Sequence, residues 1–298
     1  MKNLIVIIGP TGIGKTDLSI EIAQKLNTEI ISCDSRQIYK ELKIGTAVPS
    51  DDQLNKVKHH FIGNKSIYDY YNASMFEVEV LELLEKLFLK FENVIMTGGS
   101  GLYVDAVCNG IDDLPTIEQE LRTDLMQRLN TEGIESLRMQ LKMLDPEYYK
   151  QADIRNPKRI LKALEVTLQT GKPYSTFLTK SKRTRDFKIT KIGLQRDRDE
   201  LYERINLRVD QMLNDGLIDE AKLFYKDKHL NSLNTVGYKE LFDYFDGSIS
   251  LEKAVELIKR NSRHYAKRQI SWFSRDKEIN WFHTDNTNEI IEFISTNH

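Results

Sequence analysis

The segment Gly9-Pro10-Thr11-Gly12-Ile13-Gly14-Lys15-Thr16 constrains this chain more than any other. It has the G-x-x-x-x-G-K-[ST] spacing of a phosphate-binding loop. Directly before it runs Leu4-Ile5-Val6-Ile7-Ile8, a continuous apolar stretch of the kind that forms a central parallel strand. Directly after it, Leu18, Ile22, Ala23 and Leu26 share one helical face over residues 17–26. The glycines let the backbone curl so that successive N–H groups face an anion, and the helix start adds the positive end of its dipole. Lys15 supplies a mobile cation and Thr16 a hydroxyl for Mg²⁺. The motif selects a di- or triphosphate without saying which.

The rest of the chain fits that start. Residues 29–33 and 93–97 read as strands and residues 76–91 as a helix, so strands alternate with helices, as in an α/β parallel sheet. After Pro115 the character changes. Residues 117–144 and 157–170 read as helices with no strand-like alternation. Residues 188–194 return as a strand, and helical patterns fill 199–213, 218–224 and 251–273. The expected fold is a P-loop NTPase-like parallel sheet core, residues 1–113 and 188–298, with an inserted all-helical domain at 114–187.

Charge is unevenly spread. The 298 residues carry 43 Lys plus Arg against 45 Asp plus Glu, a net of −2. Between Lys150 and Arg208, however, 16 basic residues face 7 acidic ones. That excess points to a polyanionic partner, or to a solvated helical surface. Two cysteines, Cys33 and Cys108, are too few for a disulfide framework. No apolar run approaches the ~20 residues of a membrane helix. A cytoplasmic, monomeric enzyme with no membrane segment is expected.

A phosphate loop usually works with an apolar strand ending in a Mg²⁺-binding Asp. Here the strand 93–97 ends in Gly98-Gly99-Ser100. The first acidic residue at a strand end is Asp34, in Asp34-Ser35-Arg36-Gln37-Ile38-Tyr39. That is the end at which open α/β sheets bind ligands, so its carboxylate faces the phosphate loop. Capping the next helix is the alternative role. The pattern argues against an ATP-hydrolysing motor and leaves small-molecule kinases and other users of diphosphate groups.

Together these motifs resemble the tRNA dimethylallyltransferases, or tRNA isopentenyltransferases. The matching pieces are the phosphate loop, Asp34-Ser35-Arg36-Gln37-Ile38-Tyr39, Ile44-Gly45-Thr46-Ala47 and Gly98-Gly99-Ser100-Gly101-Leu102-Tyr103. Asn156-Pro157-Lys158-Arg159, Ala163-Leu164-Glu165, Thr235-Val236-Gly237-Tyr238-Lys239-Glu240 and Ala266-Lys267-Arg268-Gln269 follow in the family's order. The loop has Gly12-Ile13 where many members have an Ala-Ser pair, and Gly63 follows His59-His60-Phe61-Ile62 where Asp is common.

The resemblance implies transfer of a dimethylallyl group from dimethylallyl diphosphate to N6 of the adenosine 3′ to the anticodon, with Mg²⁺ as cofactor. It gives Asp34 the role of base toward N6 and Ser100 that of donor to the diphosphate's bridging oxygen or of adenine positioner. Lys15, Thr16 and Arg208 would hold diphosphate with the loop. Ser35, Arg36 and Gln37 are placed against the flipped base and its neighbours. Arg122, Lys158, Arg159, Lys162, Gly237 and Tyr238 are placed against the anticodon stem-loop. Arg260, Arg263, Lys267 and Arg268 are spaced to form one basic face of the helix 251–273, and Gln269 is positioned to read a base edge. Rival readings are an adenylate isopentenyltransferase, a small-molecule P-loop kinase and a non-enzymatic RNA-binding module. The tyrosines Tyr68, Tyr70 and Tyr71 are read as packing residues.

Overall fold

The computed structural model describes residues 2–112, 114–179 and 182–296. The domain boundary expected at residue 113 and the basic Lys180 lie outside them. The chain divides into two compact units, Met1–Asn109 with Thr184–His298, and Gly110–Arg183.

The first unit opens with β1 (Asn3–Ile8), α1 (Lys15–Leu26), β2 (Ile30–Ser32), α2 (Asp51–Lys56), β3 (His59–His60), α3 (Ala73–Phe88), β4 (Asn93–Gly98) and α4 (Gly101–Asn109). The second unit holds α5 (Gln119–Glu132), α6 (Ile134–Leu144), α7 (Pro146–Gln151) and α8 (Pro157–Thr170). The first then resumes with β5 (Lys188–Gln195), α9 (Arg198–Asn214), α10 (Leu217–Leu223), α11 (Tyr238–Phe245), α12 (Leu251–Phe273), β6 (Asn280–His283) and α13 (Thr287–Thr296).

The six strands form one parallel sheet in the order β3-β2-β4-β1-β5-β6. β1 is central because Leu4 to Ile8 have no polar face to give to water; all five are at most 1% exposed. Burying each such side chain contributes ~1.5–3 kcal/mol. α1, α9 and α13 cover it through Leu18, Ile22, Leu201, Ile205, Ile290 and Ile294. Where the chain enters β5, Arg185 is anchored by an ion pair to the buried Glu77 at 2.7 Å and by the carbonyls of Ala106 and Val107.

In the second unit, Leu125, Leu137, Leu141, Ile160 and Leu164 form a separate core. Asp145, 1% exposed, ties it together by accepting from Tyr148 N, Ser175 N and Ser175 Oγ. The single helix expected over 117–144 is two, because Gly133 sits at φ 79° between α5 and α6, a backbone that other residues rarely adopt. Strands β3 and β6 and helices α2, α4, α7, α11 and α13 were not expected.

Candidate active site

Three adjacent strands, β2, β4 and β1, end side by side and place the candidate residues. β1 runs into the phosphate loop, β4 into Gly99-Ser100, and β2 into Cys33-Asp34. The carboxyl end of a parallel sheet is where such folds bind ligands.

The loop curls as its glycines allow. Gly12 stands at φ 79°, and a Cβ there would lie 3.0 Å from Ile205 Cγ1 of α9. Ile13 is buried beneath the loop. The first amides of α1 have no partner within their own helix, as at any helix start, and are the groups such a loop offers to an anion. Lys15 Nζ folds over the loop and donates to the carbonyls of Gly9 (3.0 Å) and Pro10 (2.9 Å). Two of its three protons are thus engaged, and the third is available to an anion. Burial, and after it Arg208, lower Lys15 to about 8, whereas Asp34 opposes the shift. Arg208 donates to Thr11 Oγ1 at 3.4 Å, and burial lowers it too, with Asp34 again opposing. Both cations therefore share the field of Asp34.

The Asp34 carboxylate has a divided role. Its Oδ1 accepts from Arg36 N at 2.8 Å and Gln37 N at 3.3 Å. No helix starts at Asp34, since the next one, α2, begins at Asp51; the carboxylate closes the turn over residues 35–38 through one oxygen, and Oδ2 has no hydrogen bond among the described residues. Ser100 Oγ accepts from Ser35 N at 2.9 Å and donates to Ser35 Oγ at 3.1 Å. Gln37 donates to the carbonyls of Thr46 and Ala47 and lies 3.4 Å from Ser32 Oγ. Arg36 reaches across to the carbonyls of Asn231 and Ser232, both at 3.0 Å, and of Asn234 at 3.5 Å. It clamps the 231–234 segment to the turn after β2.

Several expected RNA contacts are placed otherwise. Tyr238 is fully buried and donates to Glu220 Oε1 at 2.6 Å. Gly237 is buried as well and donates its amide to Glu240 at 2.8 Å. Neither meets a surface, because α11 turns its apolar side, with Leu241 and Phe242, inward. Gln269, expected to face a base edge, is 5% exposed and bonded within the chain: it accepts from Thr11 N at 2.8 Å and donates to Gly99 O at 2.9 Å. It staples the phosphate loop to the turn after β4. Arg122 makes a two-armed ion pair with the buried Glu165, at 3.0 and 3.2 Å. Lys158 and Arg159 are exposed and Lys162 half-buried; all three lack an acidic partner within 4 Å among the described residues. Of the tyrosines read as packing, only Tyr71 is buried, while Tyr68 and Tyr70 are 62% and 55% exposed.

Three residues escaped the sequence reasoning. Glu220 accepts from the amides of Lys43, Ile44 and Gly45 and so fixes that loop. Arg204 donates to Gly12 O at 3.0 Å. Tyr265 is half-buried on α12, and burial, then Asp34, push its phenol up to about 12. The signal for Tyr265 was its spacing of four from Gln269, on the side of α12 away from the exposed Lys267 and Arg268.

The Thr16 hydroxyl carries no hydrogen bond among the described residues and stands in the first turn of α1. A single hard oxygen beside a phosphate cradle fits Mg²⁺, which keeps waters and takes phosphate oxygens as its main ligands.

Residues 37–276 match the model of the IPP transferase family. The tRNA dimethylallyltransferase 1 of Bacteroides fragilis is 55% identical over 293 residues, covering 98% of this chain and 97% of that protein. The crystal structure of the tRNA isopentenylpyrophosphate transferase of Bacillus halodurans is 36% identical, with a TM-score of 0.71 over 99% of this chain and 96% of that one. A eukaryotic dimethylallyltransferase captured acting on tRNA is 27% identical, with a TM-score of 0.81 over 99% of this chain and 80% of that one. With its phosphate loop, Asp34 and Ser100 gathered at three neighbouring strand ends, the chain belongs to the tRNA dimethylallyltransferases of the IPP transferase family.

Proposed function

We propose that this chain transfers the dimethylallyl group of dimethylallyl diphosphate to N6 of the adenosine 3′ to a tRNA anticodon and releases diphosphate. It does so as a cytoplasmic monomer; among the described residues no helix is long and apolar enough to cross a membrane. The observation that carries the reading is the charge arrangement at the strand ends. Two cations, Lys15 and Arg208, lie beside the phosphate loop, and the Asp34 carboxylate lies in their field. A site of this kind can hold an anionic leaving group on one side and accept a proton on the other.

The adenine amine is a poor nucleophile because its lone pair is delocalised into the ring. As N6 bonds to the allylic carbon, the carbon–oxygen bond breaks and its electron pair leaves with diphosphate. The N6 proton passes to Asp34 Oδ2, the oxygen not engaged in the turn. Lys15, Arg208 and the loop amides stabilise the charge that builds on diphosphate. Thr16 would hold a Mg²⁺ ion beside the phosphate groups, and that ion would supply further positive charge there. Ser100 donates toward the bridging oxygen or fixes the adenine. A base stacked in a loop cannot reach these groups, so the adenosine is extruded. Lys158, Arg159 and Lys162, within the helical unit, contact the anticodon stem-loop backbone, as do the α12 cations Arg260, Lys267 and Arg268. Such contacts position RNA without specifying it.

The test is a transfer assay with Mg²⁺, dimethylallyl diphosphate and unmodified tRNA, followed by mass spectrometry of the digested nucleosides. An adenosine heavier by one dimethylallyl group beside the anticodon is expected. An adduct on AMP but not on tRNA would move the chain to the free-nucleotide enzymes. No adduct on either would refute the reading.

A further inference from the structure

Gln269, on α12, spans two turns that follow neighbouring strands. Its Oε1 accepts from Thr11 N at 2.8 Å, in the phosphate loop after β1. Its Nε2 donates to Gly99 O at 2.9 Å, in the turn after β4. The two partners dictate the side chain. The Thr11 amide can only donate and the Gly99 carbonyl can only accept, so the bridge needs one acceptor and one donor on a single group, as a side-chain amide supplies. The fit is close: a Cβ on Gly99 would lie 2.1 Å from Gln269 Nε2 and 3.6 Å from Gly9 O.

The other side-chain ties of the loop come from the loop itself or from α9. Lys15 donates to the Gly9 and Pro10 carbonyls, Arg204 to the Gly12 carbonyl and Arg208 to Thr11 Oγ1. Gln269 instead joins the loop to the turn that carries Ser100. It also takes up Thr11 N, which leaves an anion to the later amides, at the start of α1. A glycine-rich loop has many shapes open to it when free. A tie that holds one of them removes part of the cost of ordering the loop around an anion. We infer that Gln269 is a positioning residue for diphosphate capture: by bridging Thr11 N and Gly99 O, it holds the phosphate loop in its anion-binding shape. The inference rests on the diphosphate reading of the loop and gives Gln269 no contact with either substrate.

The test uses the full chain. Calorimetry measures its affinity for inorganic diphosphate with Mg²⁺, and filter binding its affinity for an unmodified anticodon stem-loop RNA. KM for dimethylallyl diphosphate and Tm complete the set, for the wild type, Gln269→Ala, Gln269→Met, Gly99→Ala and Gln269→Ala with Gly99→Ala. Gln269→Ala is expected to weaken diphosphate binding and raise that KM by about tenfold, the worth of one buried hydrogen bond, with RNA affinity unchanged. Gln269→Met refills the space without a hydrogen bond and is expected to lose as much. Gly99→Ala is expected to reach the same loss from the other end, because its methyl group displaces the amide. The double variant is expected to bind diphosphate no more weakly than either single variant, since the bridge can be broken only once. Should Gln269→Ala fail to fold, as Tm reports, Gln269→Met and Gly99→Ala carry the same comparison. Wild-type diphosphate affinity in the Gln269 variants overturns the inference. So does recovery in Gln269→Met, which assigns the residue to packing, and so do losses that add in the double variant. A loss of RNA affinity with diphosphate binding intact overturns it too and sets Gln269 against a base edge. In each of these cases, diphosphate binding by the wild type leaves the diphosphate reading of the loop standing. If the wild type itself binds no diphosphate, that reading fails and the inference falls with it.

Discussion

Lys15 offers the most direct test of the electrostatics. It is held down to about 8, by burial first and by Arg208 second, with Asp34 opposing. The lysine must be an ammonium to hold diphosphate. The lowered value means that capture is fully present below about pH 8 and is lost as the pH rises through it. With a midpoint of about 8, roughly 90% of free sites carry the ammonium at pH 7 and roughly 9% at pH 9, about a tenfold fall. The assay is kcat/KM for dimethylallyl diphosphate from pH 6.5 to 10, with RNA below its own KM, because this ratio reports groups of the free enzyme. An alkaline limb with a slope of about −1 and a midpoint near 8 is expected. Arg208→Gln removes the repelling guanidinium, so its weaker activity is expected to keep a limb moved to higher pH. A wild-type profile flat to pH 10 would refute the reasoning, as would a limb that moves down in Arg208→Gln.

Three further outcomes are expected. Asp34→Asn keeps the Oδ1 that accepts from Arg36 N and Gln37 N but loses the base, so kcat should fall about 10²–10⁴-fold while tRNA affinity in a filter-binding assay stays near wild type; near-normal turnover would remove Asp34 from proton transfer. Lys158→Ala should weaken RNA binding and make the slope of log K against log salt shallower by about one; an unchanged slope would return Lys158 to a solvated surface charge. Tyr238→Phe removes the buried donor to Glu220 and should cost about 1–2 kcal/mol in urea unfolding with RNA affinity unchanged; full stability with weakened RNA binding would put Tyr238 back at the RNA surface.

The core of the fold was legible because its signals are local. A strand with no polar face, a glycine-rich loop and an amphipathic helix follow one another within 26 residues, and each is sufficient to name its element. β3 and β6 were missed because two and four residues carry too little periodicity. The helix break at Gly133 was passed over because the flanking segments keep a helical pattern on both sides.

The site was legible at Lys15 and Asp34, where position relative to a strand end fixes direction. The internal hydrogen bonds of Arg36, Gln37, Tyr238 and Gln269 were not legible. A polar side chain in a motif reads equally well as a ligand contact or as an internal tie. Only the fold decides which, by bringing Asn231, Thr46, Glu220 and Gly99 within reach of them. Tyr265 went unnoticed for the converse reason. Attention to the exposed charges of α12 hid its inward stripe, whose partners are distant in sequence.

The order β2-β4-β1 also acts as a gauge. Parallel strands lie about 4.8 Å apart, so the base of the site at Asp34 and the anion cradle hang from strands roughly 10 Å apart, with Ser100 just past the end of the strand between them. Main-chain hydrogen bonding fixes that width, and no side chain sets it. Exchanging Asp34, Ser100 or Lys15 alters what happens in the slot without resizing it. A bulge inserted in β4, far from any reacting atom, would change the distance that the two substrates must bridge.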